Sequence, residues 1–256
     1  MGQDIPASTP RGVLLAGGTG SRLDPLTRIT NKHLLPIGDR PMVSWAVEAL
    51  ALAGVEELLV VTGGDHVDDF VRLLGDGSEQ GLRSISYAVQ AKAGGIAEAL
   101  GLAEGFAKGG PVVVMLADNL CERSLRSTVQ AFAANPSGAR LVLSEVAELE
   151  HLRHLGVPAL DGAGTITQIV EKPEQPPSSY AVTGVYCYEA GVFEVVKGLE
   201  PSARGELEIT DVNNHYVALG ALAYDVLEGF WGDAGESIEA YYAVNDFVRA
   251  NGVNKA

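Results

Sequence analysis

The chain has 256 residues, 46% of them apolar, which is enough for one substantial core, and one domain with an embedded lobe suits that length. Its 33 acidic against 18 basic residues give a net charge of −15, which excludes a nucleic-acid or anionic-membrane surface, because those partners select basic patches. An anionic small ligand must therefore be met by a local cluster of cations.

Residues 1–11 read as a polar tail without the apolar core of a signal peptide, and Pro6 and Ala7 break the N-myristoylation pattern that Gly2 would begin. No apolar run approaches the roughly 18 residues needed to span a bilayer, so a cytoplasmic protein is expected. The two cysteines, Cys121 and Cys187, lie in unrelated contexts, which argues against a disulfide framework or a zinc site.

The apolar run Val13 to Ala16 reads as a strand entering the turn Gly17, Gly18, Thr19, Gly20. Glycine tolerates positive φ and close approach of a ligand, so such a turn can aim peptide N–H groups at a phosphate chain. Arg22, Arg28 and Lys32 follow and add the cations that a neutral cradle of amides lacks. An ordinary strand-to-loop turn is the competing reading of the glycines alone. The cations and the proline punctuation at Pro36 and Pro41 shift the reading toward a phosphate site.

From Pro41 the apolar spacing predicts a helix that Gly54 stops, then a buried strand at Glu57 to Thr62. The alternation continues with a helix at His66 to Leu74, a strand at Ser84 to Val89, a helix at Ile96 to Ala107 and a strand at Pro111 to Leu116. Strands and helices alternating with short links predict an α/β fold: a Rossmann-like, mostly parallel sheet flanked by helices. Ligands of such sheets sit beyond the carboxyl ends of the strands, where both the glycine turn and Asp118 fall. Asp118 is placed to hold a divalent cation, with an N-cap for a helix from Glu122 to Ala134 as the alternative.

The second half predicts a smaller, mixed-sheet lobe. Its strands are Arg140 to Glu145, a short one near Val157, Ile166 to Glu171 and Ala181 to Tyr188, with Pro173, Pro176 and Pro177 marking a loop. Lys172 closes a strand just before that loop. A helix begins within Gly205 to Asn214, a strand follows at Ala221 to Val226, and a turn at Trp231 to Gly235 carries Asp233, a second candidate metal carboxylate. A last helix covers Ser237 to Ala250. His151 and His154 read as solvated. The expected organisation is one domain over 12–256, with a first part at 12–135, a second at 136–235 and a C-terminal helix at 236–256.

LLAGGTGSRLDPLT, NKHLLPIGDRPM, LLGDGSEQGL, ADN, EKP, VTGVY, RGELEITDVN and WGDAG occur in the order seen in sugar nucleotidyltransferases, and most closely resemble the glucose-1-phosphate thymidylyltransferases, over about residues 12 to 245. The resemblance implies transfer of a nucleotidyl group from a nucleoside triphosphate to a sugar 1-phosphate, with Mg2+ as cofactor and a homo-oligomeric assembly. It assigns the nucleotide to Leu15, Ala16, Gly17 and Gly18, and the triphosphate to Arg22 and Lys32. Gln90 and Gly95 match positions that read the base, and Asp118 and Asp233 match the metal pair. Gly156, Glu171, Lys172 and Val182 match the sugar-phosphate site, with Lys172 against the phosphate.

The implied in-line attack on the α-phosphorus needs no protein nucleophile, only positioning and charge neutralisation. Lys32→Ala and Asp118→Ala are therefore expected to fold normally and lose turnover. Three departures bear on specificity: Ala117 replaces the usual glycine before Asp118, His33 replaces a glutamine, and Leu155 replaces a tyrosine. The chain also ends about twenty residues after Asp233, whereas longer members continue into helices that make a regulatory site, so the resemblance does not carry feedback control over to these residues. Uridylyl, cytidylyl or guanylyl transfer keeps the same fold with other substrates. A binding protein without catalysis is the alternative of another class.

Overall fold

The computed structural model describes residues 9–256; the N-myristoylation pattern and most of the polar tail fall on residues 1–8, outside that range. Strand β1 (Arg11–Ala16) carries the first apolar run and ends at the glycine turn. Short strands β2 (Pro36–Ile37) and β3 (Arg40–Pro41) pair as a hairpin that feeds α1 (Met42–Leu52). Then come β4 (Glu57–Gly63), α2 (Val67–Leu74) and β5 (Ser84–Gln90). The helix predicted over 96–107 is broken into α3 (Ile96–Gly101) and α4 (Glu104–Ala107), and the break follows Gly101, a poor helix former.

After β6 (Val112–Leu116) the chain forms β7 (Asn119–Cys121), and α5 begins only at Arg126 (Arg126–Ala134). Asp118 is thus not a helix cap: a strand follows it, because Leu120 and Cys121 are buried and their backbone pairs with a strand from the far end of the chain. The later elements are β8 (Ala139–Glu145), α6 (Leu149–Leu152), β9 (Gly156–Leu160), β10 (Ile166–Glu171) and β11 (Tyr180–Tyr188). Helices α7 (Val192–Lys197) and α8 (Ile209–Ala218), strands β12 (Leu222–Val226) and β13 (Trp231–Asp233), and α9 (Ile238–Asn251) complete the chain.

Seven strands form one sheet in the order β12-β8-β11-β6-β1-β4-β5. The pairs β1–β4, β1–β6, β4–β5 and β8–β12 are parallel, and β11 runs antiparallel to both β6 and β8. Strands β8, β11 and β12 therefore extend the central sheet, and the lobe reduces to the antiparallel ribbon β9–β10. Asn214 stitches that ribbon to α8: its Oδ1 accepts from the Ile169 N–H and its Nδ2 donates to the Ile169 carbonyl, each at 2.8 Å.

The apolar runs are continuous because the sheet is covered on both faces. Leu14 and Ala16 of β1 pack with Val43, Val47 and Leu50 of α1 and Phe132 of α5 on one side. Val13 and Leu15 pack with Leu100 of α3, Phe193 of α7 and Tyr216 of α8 on the other. Each fully buried leucine or phenylalanine contributes about 1.5–3 kcal/mol. A third cluster joins Tyr241, Val244 and Val248 of α9 to Ile37, Trp45 and Leu120, so the last helix braces β7 and its partner β13. Among the described residues no helix is long and apolar enough to cross a membrane.

Candidate active site

A cleft of about 460 Å³ opens at the carboxyl ends of β1, β5 and β6 and continues to the ribbon β9–β10. Leu15, Gly17, Gly18, Arg22, Lys32, Gln90, Gly95, Asp118, Gly156, Glu171, Lys172, Val182 and Asp233 all line it. Two of the expected residues are elsewhere. Ala16 is fully buried in the core under α1, because the alternation of β1 turns its side chain from the cleft. Arg28 pairs with Asp24 at 2.8 Å on the surface, 68% exposed, and takes no part in the wall. Gly18 adopts φ 96°, the conformation that the turn requires of glycine.

Backbone pairing brings the two distant carboxylates together. In the ribbon β7–β13, Asp233 stands opposite Asn119, and the Ala234 N–H donates to the Asp118 carbonyl at 2.9 Å. Asn119 fixes the geometry: its Oδ1 accepts from Trp231 Nε1 and the Gly184 N–H, each at 2.8 Å, and its Nδ2 donates to Asp118 Oδ1 at 3.1 Å. Lys32 forms an ion pair with Asp118 Oδ2 in which the side chains are only 17% and 7% exposed.

Burial alone would depress the Lys32 ammonium, but the charges of Asp118 and Asp233 outweigh it and hold the group above its ordinary value. Burial would likewise raise Asp118, yet Lys32 and His33 hold it well below the usual carboxylate range. Asp233 goes the other way, pushed up to about 7 by burial and then by the neighbouring Asp118 charge. Lys32 pairs with Asp118 and also feels the charge of Asp233, so two carboxylates stand near one ammonium, an arrangement that suits a hard divalent cation. Among the described residues no cluster of three or more His, Cys, Asp and Glu surrounds a metal position, so such a cation would take its remaining oxygens from substrate and water.

The far end of the cleft has its own cations. Gly156 and Glu171 are paired in the ribbon, and Lys172 follows with φ 47°, uncommon outside glycine. Its N–H donates to the Leu155 carbonyl at 3.0 Å. Lys172 Nζ and Arg204 Nη2 lie 3.7 and 3.8 Å from the same Glu171 Oε1, and Thr210 donates to Glu171 Oε2 at 2.6 Å. Arg204 is held by two 2.9 Å bonds to Glu208. The sequence reads Gly205 to Asn214 as a helix start and assigns no role to Arg204, whose only signal is a lone arginine among carboxylates.

The departures from the family pattern resolve differently. His33 lines the cleft yet is buried; its Nδ1 lies 2.8 Å from Asn31 Oδ1 and its Nε2 3.8 Å from Asp118 Oδ2. Burial depresses its basicity, opposed by Asp118. Ala117 is fully buried in the core with Leu14 and Met115, so its methyl takes no space from a nucleotide. Leu155 is on the cleft wall. His151 is not solvated as the sequence suggested: its Nε2 lies 2.7 Å from Glu236 Oε2 and its ring stacks on Trp231 at 6.3 Å. His154 lines the cleft.

The family model for nucleotidyl transferases matches residues 11–251. A glucose-1-phosphate thymidylyltransferase of Actinoplanes sp. strain SE50/110 is 46% identical over 243 residues, covering 94% of this chain and 78% of that protein. One from Neisseria gonorrhoeae is 40% identical, covering 93% and 82%. Among solved structures, a sucrose complex of a provisionally assigned glucose-1-phosphate thymidylyltransferase from Bacillus anthracis superposes with a TM-score of 0.87 at 45% identity, covering 93% of this chain and 95% of that one. A UDP-glucose pyrophosphorylase complexed with UDP-glucose gives 0.81 at 26% identity, covering 93% and 97%. In sequence and in fold, this chain belongs to the nucleotidyl transferase family.

Proposed function

We propose that the protein transfers a nucleotidyl group from a nucleoside triphosphate, dTTP in the first place, to a sugar 1-phosphate, glucose 1-phosphate in the first place, releasing pyrophosphate. The observation that carries this reading is a single cleft that combines a glycine turn, two separate pairs of cations and a carboxylate pair. An oxygen of the sugar phosphate attacks the α-phosphorus, the new P–O bond forms as the bond to pyrophosphate breaks, and no protein nucleophile is needed.

The backbone of Gly17 and Gly18 cradles the phosphates, and Arg22 and Lys32 offset charge on the departing pyrophosphate. Gln90 and Gly95 read the base. Lys172, joined by Arg204, holds the acceptor phosphate, while Gly156, Glu171 and Val182 shape the sugar site. Asp118 and Asp233 would hold Mg2+, which when bound supplies positive charge to the phosphate oxygens. The reading assigns residues 12–135 mainly to the nucleotide and 136–235 mainly to the acceptor, and it includes a homo-oligomer working in the cytoplasm.

The test is incubation with Mg2+, glucose 1-phosphate and each nucleoside triphosphate in turn, following pyrophosphate. Release with dTTP supports the reading. Release only with another triphosphate or acceptor changes the substrates and keeps the reaction. Tight binding of substrates with no release under any combination overturns it in favour of a binding protein.

A further inference from the structure

Gln90 closes β5 and reaches the glycine turn, where its Oε1 lies 3.2 Å from the position a Cβ on Gly17 would occupy. Its amide nitrogen is engaged by α3, donating to Glu98 Oε2 at 2.6 Å and to the Gly95 carbonyl at 3.2 Å. A carboxylate and a carbonyl can only accept, so turning the amide over would set its oxygen against two other oxygens. The orientation of Gln90 is thereby fixed by chemistry: nitrogen to Glu98, oxygen to the cleft. Glu98 itself is not on the cleft wall. The chain is shaped around it, since a Cβ on Gly94 would fall among the Glu98 carboxylate atoms, with Oε1 at 2.8 Å.

We propose that Glu98 is a positioning residue for base selection, locking Gln90 with its acceptor toward the nucleotide so that the cleft takes bases with a ring N–H at that edge. Thymine, uracil and guanine carry such a hydrogen. Cytosine and adenine present a ring nitrogen that is itself an acceptor, and facing Gln90 Oε1 it leaves two desolvated acceptors unpaired. The proposal rests on the reading that Gln90 faces the base.

The experiment compares dTTP with 5-methyl-dCTP, which differ only at that edge, as kcat/KM for pyrophosphate release in the presence of Mg2+ and glucose 1-phosphate. Wild type, Glu98→Gln, Glu98→Ala, Gln90→Ala and the double variant Gln90→Ala/Glu98→Gln are measured, with unfolding curves as a control. A glutamine at 98 can offer its nitrogen to a turned Gln90 oxygen, so only the longer 3.2 Å bond to the Gly95 carbonyl still favours the original orientation. Glu98→Gln is expected to lower the dTTP preference about tenfold, equivalent to about 1.4 kcal/mol. Glu98→Ala, should Glu98→Gln not fold, is expected to lower it in the same direction. Gln90→Ala is expected to lower it too, with no further loss in the double variant. An unchanged preference in both Glu98 variants beside a collapsed one in Gln90→Ala overturns the role of Glu98 alone. An unchanged preference in Gln90→Ala, or none in wild type, overturns the base-reading role of Gln90 as well. A loss that adds fully in the double variant overturns the proposal, since Glu98 then acts independently of Gln90.

Discussion

Replacing Lys32 with methionine keeps the apolar stem of the side chain and removes its ammonium, leaving Asp118 buried without its partner. Breaking a buried pair from one side costs about 3–5 kcal/mol. Burial and the Asp118 charge already raise the pKa of neighbouring Asp233, and loss of Lys32 raises it further, so Asp233 can take up a proton and relieve part of the repulsion, which favours the low end, about 3 kcal/mol. For a chain of this size each kcal/mol lowers Tm by about 2–4 °C, which gives a fall of about 6–12 °C. The expectation from sequence that a Lys32 variant folds normally is revised accordingly. Thermal unfolding followed by circular dichroism measures the shift, and pyrophosphate release should fall by about 100-fold or more. Adding Asp118→Asn to Lys32→Met should restore most of the lost stability but none of the turnover, because two neutral partners leave no stranded charge. A Tm within about 2 °C of wild type for Lys32→Met would refute the reasoning.

Gly235→Ala would place a methyl against Asp118 Oδ2 and 2.7 Å from Lys32 Nζ. Both are tips of side chains and can shift, so the fold should persist while turnover drops about tenfold or more; equal turnover in steady-state assays would contradict this. Glu57 accepts from Arg11 at 2.5 Å and Arg83 at 2.7 Å, and the Arg11 hydrogen bond leads in holding its carboxyl below the usual 4.5. A depressed folded value means stability that is present above the unfolded value and lost as pH falls through the folded one. Denaturant curves should therefore show wild type more stable than Glu57→Gln near neutral pH, with the gap closing below about pH 4. A gap independent of pH would count against the ion pair.

Much of the site was legible because its groups sit where the chain changes state. The glycine turn after β1, Gln90 closing β5, Asp118 after β6 and Lys172 after β10 are all strand ends, and strand ends announce themselves where an apolar run meets glycine, proline or charge. Arg28 and Arg22 look alike in sequence, yet one faces Asp24 at the surface and the other lines the cleft. Leu15 and Ala16 differ for a simpler reason: a one-residue step along a strand changes faces, so Leu15 lines the cleft and the Ala16 side chain enters the core.

The sequence by itself determined the alternating α/β order, the glycine turn after the first strand and, through its motifs, the family. Only the tertiary structure decided which of the cleft's groups meet. Pairing of β7 with β13 puts Asp233 beside Asp118, and α9 packed on Trp45 and Leu120 holds that ribbon in place. It also turned Ala117 into the core, gathered Arg204 and Lys172 around Glu171, and set Glu98 behind Gln90. These are contacts between residues far apart in the chain or on facing elements, which local propensity does not encode and which long-range burial and backbone pairing fix.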